Sequence, residues 1–239
     1  KQFNMKAQKV VWQSGNNIFV VRKGDTSNDK ISDGKPLVQT YTFTAEQWQF
    51  ANDNGKGMHN FYALDGTNCM DCPFSRMMGS GGCYTHKFGQ YVGFLSMLRT
   101  IKASDFTILT LEKESEILEM CKDTYVRFGT YGEPSLLPIA LVAEMAQLAS
   151  SYTGYTHQWR KDWAKDFNKY FMASVHSQFQ ANVAQGLGYR SFIATKDGNE
   201  PAVQCPASKE GGYKSNCAKC GLCSGTQGKG KMNVKIMQH

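Results

Sequence analysis

Seven of the eight cysteines in this 239-residue chain fall into two groups: Cys69, Cys72 and Cys83, then Cys205, Cys217, Cys220 and Cys223. No secretory pattern opens the chain, and close pairs separated by two residues are then expected to be metal ligands or redox pairs, because reducing compartments keep thiols free. The run Cys217-Ala-Lys-Cys220-Gly-Leu-Cys223 presents three thiolates at three-residue intervals, and Cys205 supplies a fourth. Four sulfurs complete a site. A cubane iron–sulfur cluster (4Fe-4S) fits the triple repeat and the Cys205-Pro206 step, and a tetrahedral zinc ion accepts the same ligands.

The first group reads Cys69-Met-Asp-Cys72, ten residues, then Cys83-Tyr-Thr-His86. With His86 as a ligand it is a closed Cys₃His zinc site; without it, three cysteines hold a cluster with one open iron. An open position serves catalysis, whereas a filled one is structural. His86 can also be a capping or surface histidine. Cys121 lies inside a helical pattern, where an ordinary buried thiol is expected.

Apolar residues make up 41% of the chain, charged residues 20%, and glycines number 23, which describes a loop-rich globular protein able to fold without metal. No apolar run approaches the ~20 residues of a membrane helix, so a cytoplasmic protein with no membrane contact is expected. The net charge is +7, with Lys214, Lys219, Lys229, Lys231 and Lys235 gathered near the end. Such a balance suits nucleic acid, a nucleotide or a protein partner as much as solubility.

Residues 1–58 read as a strand-rich lead-in, with strands at Lys9–Trp12, Asn17–Arg22 and Leu37–Phe43 and a helix over Ala45–Asn52 whose Thr44 and Gln47 are spaced as a capping box. Residues 59–86 carry the first cysteines in a glycine-rich loop, and a helix over 87–102 follows. Beyond it, Phe106–Leu111, Tyr125–Phe128, Tyr152–His157, Phe171–Val175 and Tyr189–Ala194 read as strands. Helices over Glu112–Lys122, Ser135–Ser150, Lys161–Lys169 and Gln178–Gln185 alternate with them, which means βαβ units around a parallel sheet. Residues 59–202 form that unit, and 203–239 a small cysteine-rich metal module whose basic tail, 225–231, is expected to be mobile. Ligands of parallel sheets lie beyond the carboxyl ends of the strands, which selects the loops Gly129–Pro134, His157–Arg160 and Ser174–Ser177.

The segment Tyr131-Gly132-Glu133-Pro134 resembles the Gly-Gly-Glu-Pro motif that ends the second strand of radical S-adenosylmethionine enzymes. The order of cysteine loop, helix, acidic motif and further βα units is similar to that family across residues 59–223. The resemblance implies an incomplete parallel (βα)6-type barrel, an open cluster at Cys69, Cys72 and Cys83, an auxiliary one at the C-terminal cysteines, and Gly132 and Glu133 beside the methionyl amino group of S-adenosylmethionine. The loop spacing, Cys-x₂-Cys-x₁₀-Cys rather than Cys-x₃-Cys-x₂-Cys, and Tyr131 in place of the first glycine depart from the family pattern. The chain is also similar to phage-borne cysteine-rich proteins that share its Gly-Tyr-Thr-His-Gln-Trp and Cys-Pro-Ala-Ser stretches.

Glu133 also has a plainer reading, an acid at a helix start with Pro134 as first helical residue. Ser174 and His176 end a strand and can hydrogen-bond a ribose, while Ser177 caps the next helix. Tyr155 and Trp159 either pack the core or, with Arg160, stack a base. Two functions follow: a radical enzyme acting on an unidentified substrate, or a phage-type scaffold with two zinc ions that binds nucleic acid or protein.

Overall fold

The computed structural model describes residues 8–26 and 28–237. Runs of Val, Ile and aromatic residues form β1 (Gln8–Ser14), β2 (Asn17–Gly24) and β3 (Leu37–Thr44), paired antiparallel in that order. Apolar side chains occupy both faces of these strands because both faces are covered, and β3 is buried along its whole length. Thr44 ends β3 and caps α1 (Ala45–Asn52): its Oγ1 accepts from Gln47 N, and Gln47 Oε1 accepts from Thr44 N, each at 3.1 Å, as the spacing predicts. Short helices α2 (Met58–Tyr62) and α3 (Gly66–Cys69) lead into the cysteine loop, and α4 (Phe88–Arg99) follows with Tyr91, Phe94, Leu95 and Leu98 buried.

The chain continues as α5 (Leu111–Cys121), β4 (Tyr125–Tyr131), α6 (Ile139–Leu148), β5 (Ser151–Thr153), β6 (Tyr155–Thr156), β7 (Met172–Val175) and α7 (Gln178–Gly186). It ends with β8 (Ser191–Thr195), β9 (Val203–Gln204), α8 (Cys217–Cys220) and β10 (Val234–Met237). Two five-stranded sheets result, ordered β1-β2-β3-β4-β5 and β6-β7-β8-β10-β9. The contacts of β3 with β4, β4 with β5, and all those of the second sheet are parallel. One face of the first sheet (Val21, Val38, Val126, Phe128) takes Ile117 and Met120 of α5 and Leu141 and Met145 of α6; Cys121 is buried there as an ordinary core thiol. The other face (Val20, Tyr41, Phe43, Tyr131) takes Phe61, Tyr62 and the buried face of α4.

The fold is thus α/β with parallel sheets, but among the described residues no closed barrel forms and a (βα)6 barrel is not shown. Phe106–Leu111 is not a strand: one bond, Gln13 N to Thr107 O at 3.0 Å, ties it to β1, and Ile108 lies exposed before Thr110 caps α5. The expected strand 152–157 divides into β5 and β6 at Gly154, where an added Cβ would sit 2.4 Å from the Phe171 ring. The expected helix 135–150 is a 3₁₀ turn, Pro134–Leu136, then α6, since Pro138 has no N–H for a continuous helix. Asp162–Lys169 is a 3₁₀ rather than an α-helix.

The expected mobile tail is instead held: Thr226 N and Gln227 N donate to Asn168 O and Lys169 O at 2.9 and 3.0 Å, and β10 lies between β8 and β9. Lys235 spends its charge on Gly198 O and Glu200 O at 2.6 and 2.8 Å. Among the described residues, no helix is long and apolar enough to cross a membrane.

Candidate metal centres and the strand-end site

The first cysteine loop follows α3, lies against the carboxyl end of β3, where Asn68 Nδ2 donates to Thr42 O at 2.7 Å, and is knotted by a fully buried carboxylate. Asp65 accepts from Arg76 N at 2.9 Å and Met77 N at 3.1 Å, closing the loop around the cysteines. Backbone bonds join Cys72 N to Cys69 O, Cys83 N to Phe74 O and His86 N to Cys83 O at 2.9–3.2 Å. Gly79 is obligatory here, since a Cβ would lie 2.2 Å from Pro73 O.

Burial pushes the Cys69 thiol well above its ordinary range, and the nearby Asp65, Cys72, Cys83 and Glu133 add to the effect. Burial likewise raises Cys72 to about 12 and raises Cys83. These thiols therefore resist ionisation unless a cation holds them as thiolates, which metal coordination does.

His86 lies beside the same buried carboxylate. Its Nδ1 donates to Gly81 O at 2.9 Å, its ring lies 4.0 Å from that of Tyr62, and Nε2 faces Asp65 Oδ2 at 4.0 Å. Burial holds its pKa below the ordinary value.

β4 ends against this loop. Glu133 N donates to Asn68 O at 2.7 Å, one residue before Cys69, and Gly132 (φ 78°) fits where a Cβ would lie 2.6 Å from Thr42 O. The Glu133 carboxylate is buried and accepts from Ser135 N (3.1 Å), Ser135 Oγ (2.7 Å) and His157 N (3.0 Å). Burial raises its pKa, and these bonds oppose the rise. The helix-start reading therefore holds: Glu133 caps the turn Pro134–Leu136. Tyr131, standing where the family motif has glycine, points into the core and accepts from Gln47 Nε2 at 2.7 Å.

The ends of β6 and β7 meet the same loop through Phe74, whose ring lies 4.7 Å from His176 and 6.3 Å from His157, and through the Lys161–Asp71 ion pair at 2.5 Å. Trp159 Nε1 donates to Ser174 O at 3.2 Å, and the Arg160 guanidinium covers the Trp159 ring at 3.7 Å. Trp159 is in the core, and Tyr155 packs on Phe192 at 4.6 Å, so neither ring is free to stack a base. Ser177 caps α7 as expected. His157 Nε2, both ring nitrogens of His176 and both amide atoms of Gln158 are buried without a hydrogen-bond partner among the described residues, which concentrates unsatisfied polar atoms at one strand end.

The second cysteine group lies at the opposite end of the strands. Asn216 caps α8 by accepting from Lys219 N at 3.0 Å, and Gly221 ends it at φ 62°. Cys217 N and Ala218 N donate to Lys30 O and Ile31 O at 3.0 Å, and Gly154 N donates to Cys223 O at 3.0 Å. Arg190 clamps the module by donating to Gly225 O at 2.7 Å, Leu222 O at 3.0 Å and Met232 O at 2.5 Å.

Cys205, Cys217, Cys220 and Cys223 line one cavity with Thr153 and Tyr155. Burial raises the pKa of Cys205, Cys217 and Cys223. All eight cysteines are free thiols, so the soft donors a cluster or zinc requires are present in both groups. No three His, Cys, Asp or Glu side chains among the described residues are gathered as a site for a single metal ion.

The structure thus brings Gly132 and Glu133 against the first cysteine loop and His176 against its Phe74, and leaves Ser174 at the strand end beneath Trp159. Asp65 and Asn68 carry no motif in the sequence, whereas Gln158 lies in the selected loop His157–Arg160. No protein-family model, curated protein or solved structure matches this chain.

Proposed function

We propose that the chain is an iron–sulfur protein of the radical S-adenosylmethionine kind. Cys69, Cys72 and Cys83 would hold an open cluster, and Cys205, Cys217, Cys220 and Cys223 an auxiliary one. The observation that carries this reading is the bond from Glu133 N to Asn68 O at 2.7 Å, which fixes the acidic strand end beside Cys69 at the carboxyl edge of a parallel sheet. Iron–sulfur is preferred to zinc on the triple repeat Cys217-Ala-Lys-Cys220-Gly-Leu-Cys223 and the Cys205-Pro206 step, whose four cysteines line one cavity. The two sheets, divided only at Gly154, would then be the two halves of an incomplete barrel.

A bound open cluster supplies the electron for reductive cleavage of S-adenosylmethionine. The chain's part is binding and exclusion. Gly132 and Glu133 present backbone groups at the loop, the unpartnered His176 and Gln158 offer polar contacts, Ser174 closes the strand end, and Phe74 keeps water from the edge.

The second reading, two zinc ions with His86 as a ligand and no catalysis, gains from the Glu133 carboxylate, which already accepts three hydrogen bonds from the protein. In it, the exposed Lys229 and Lys231 would face nucleic acid or a protein partner.

Anaerobic purification followed by iron, sulfide and zinc analysis separates the two. Roughly eight irons per chain are expected, and a colourless protein with about two zinc ions sinks the radical-enzyme reading. Equilibrium dialysis of S-adenosylmethionine should show binding to the wild type that Glu133→Ala weakens, because the carboxylate anchors the strand end beside the loop. Unchanged binding means that the carboxylate does not position the site.

A further inference from the structure

Tyr155 and Cys223 are brought together by the backbone. Gly154, the residue before Tyr155, donates its N–H to Cys223 O at 3.0 Å, and its carbonyl accepts from Met172 N at 3.0 Å. Tyr155 then packs with Cys205, Leu222 and Phe192 on the buried Met172, Cys223 and Val234, its ring 4.6 Å from that of Phe192. Held in this way, it lines the same cavity as Cys205, Cys217, Cys220 and Cys223.

Two hydroxyl side chains among the described residues line that cavity, those of Thr153 and Tyr155. Thr153 Oγ1 is engaged with Tyr125 Oη at 2.6 Å. The Tyr155 hydroxyl meets sulfur: burial raises the Cys223 pKa, and the hydroxyl opposes that rise by favouring the thiolate. Burial, with Cys223 and Cys217 adding to it, holds the hydroxyl itself well above its ordinary pKa, so it stays protonated and remains a donor. A hydrogen bond to a cluster sulfur stabilises the reduced form, which carries one more negative charge, more than the oxidised form, and so raises the reduction potential.

We propose that Tyr155 acts on the C-terminal cluster through Cys223: its hydroxyl donates to the ligand sulfur and raises the reduction potential of the cluster. The inference rests on the functional reading above, in which these four cysteines hold an iron–sulfur cluster. On reduction one electron enters the cluster from an external donor, dithionite in the test below, and the tyrosine keeps its proton throughout. The cluster accepts that electron at a less negative potential than the same four thiolates alone allow, which suits storage or relay of an electron rather than delivery to a ligand that is hard to reduce.

The test is a redox titration with dithionite, followed by electron paramagnetic resonance, on the full chain purified anaerobically as wild type, Tyr155→Phe and Tyr152→Phe. Phenylalanine keeps a ring against Phe192 and removes only the donor. In Tyr155→Phe the ratio of reduced to oxidised cluster at a given potential should drop about tenfold, a fall in midpoint of about 59 mV for one electron. Tyr152 packs on Phe128 and lies outside the cavity, so its variant should keep the wild-type midpoint. The shift should appear in one of the two midpoints of the chain, and it should persist when Cys69→Ser, Cys72→Ser and Cys83→Ser leave only the C-terminal cluster to titrate.

An unchanged midpoint in Tyr155→Phe at wild-type iron content overturns the inference and leaves the iron–sulfur reading standing. An equal fall in Tyr152→Phe does the same, because the effect would then not depend on the cavity. Loss of iron from Tyr155→Phe also overturns it, since the hydroxyl would be needed to bind the cluster rather than to set its potential. A wild-type chain that carries zinc in place of iron removes the functional reading itself, and this inference with it.

Discussion

His157 ends β6 with its backbone N–H spent on Glu133 and its Nε2 sealed from solvent without a partner. Burial, with a smaller contribution from His176, lowers its pKa from 6.5 to about 4. The unfolded chain therefore takes up the proton first as pH falls. The contribution of the neutral ring to stability is complete above about 6.5 and is lost as pH falls through 6.5 towards 4, by about 3 kcal/mol in total. Urea denaturation across that range should give a steeper acid limb for wild type than for His157→Gln, by about that amount at its foot. Parallel limbs would mean that the ring is solvated in the folded protein. The same carboxylate that fixes His157 shows why a polar residue at a strand end is not free to serve two purposes: with three protein donors on it, Glu133 holds the strand end and the turn that follows it.

At the scale of elements, the junction of β4 with the cysteine loop turns on one glycine. Gly132 has φ 78°, and an alanine Cβ there would meet Thr42 O at 2.6 Å and Asn68 O at 3.2 Å. Gly132→Ala should therefore push the loop off β3, costing roughly 1–3 kcal/mol in backbone strain and reducing bound iron to about half if each cysteine group holds a cluster. Iron analysis beside a urea midpoint checks both, and full iron at an unchanged midpoint contradicts the packing described. The sequence made much of this legible. The β-branched runs located β1 to β3, Thr44 and Gln47 announced α1, and the Gly132-Glu133-Pro134 step was recognisable as a strand end. What was hidden depends on distance in space. Pro138 breaks a helix whose apolar period runs on unbroken, Gly154 divides a strand because Phe171 stands against it, and Lys235 reads as one of a charge run although its partners are carbonyls at 198 and 200. The aromatic pattern at 106–111 suggested a strand, but no neighbouring edge was available beyond a single bond to β1.

Across the whole molecule, the two cysteine groups cap opposite ends of one set of strands, and they differ in what else supports them. The first is embedded: Asp65, Phe61 and Tyr62 tie its loop into a large apolar core under α4. The second leans on a small cluster of Met172, Cys223 and Val234 and on backbone bonds, chiefly those of Cys217 and Ala218 to the 30–31 turn and the Arg190 clamp. Few apolar contacts and many backbone bonds define a region that opens at low cost. Metal bound to its four thiols would contribute most of its order, since binding to the folded form alone stabilises it. Chelation under anaerobic conditions should accordingly raise amide hydrogen exchange at 216–224 by at least about tenfold, while β2 and β3 keep their protection and the chain unfolds at a similar urea concentration. Even loss of protection across β2 and β3 would make metal a condition of the whole fold, contrary to a core of this size. Unchanged exchange at 216–224 would mean that hydrogen bonds alone hold the module, and the four cysteines there would then need another explanation.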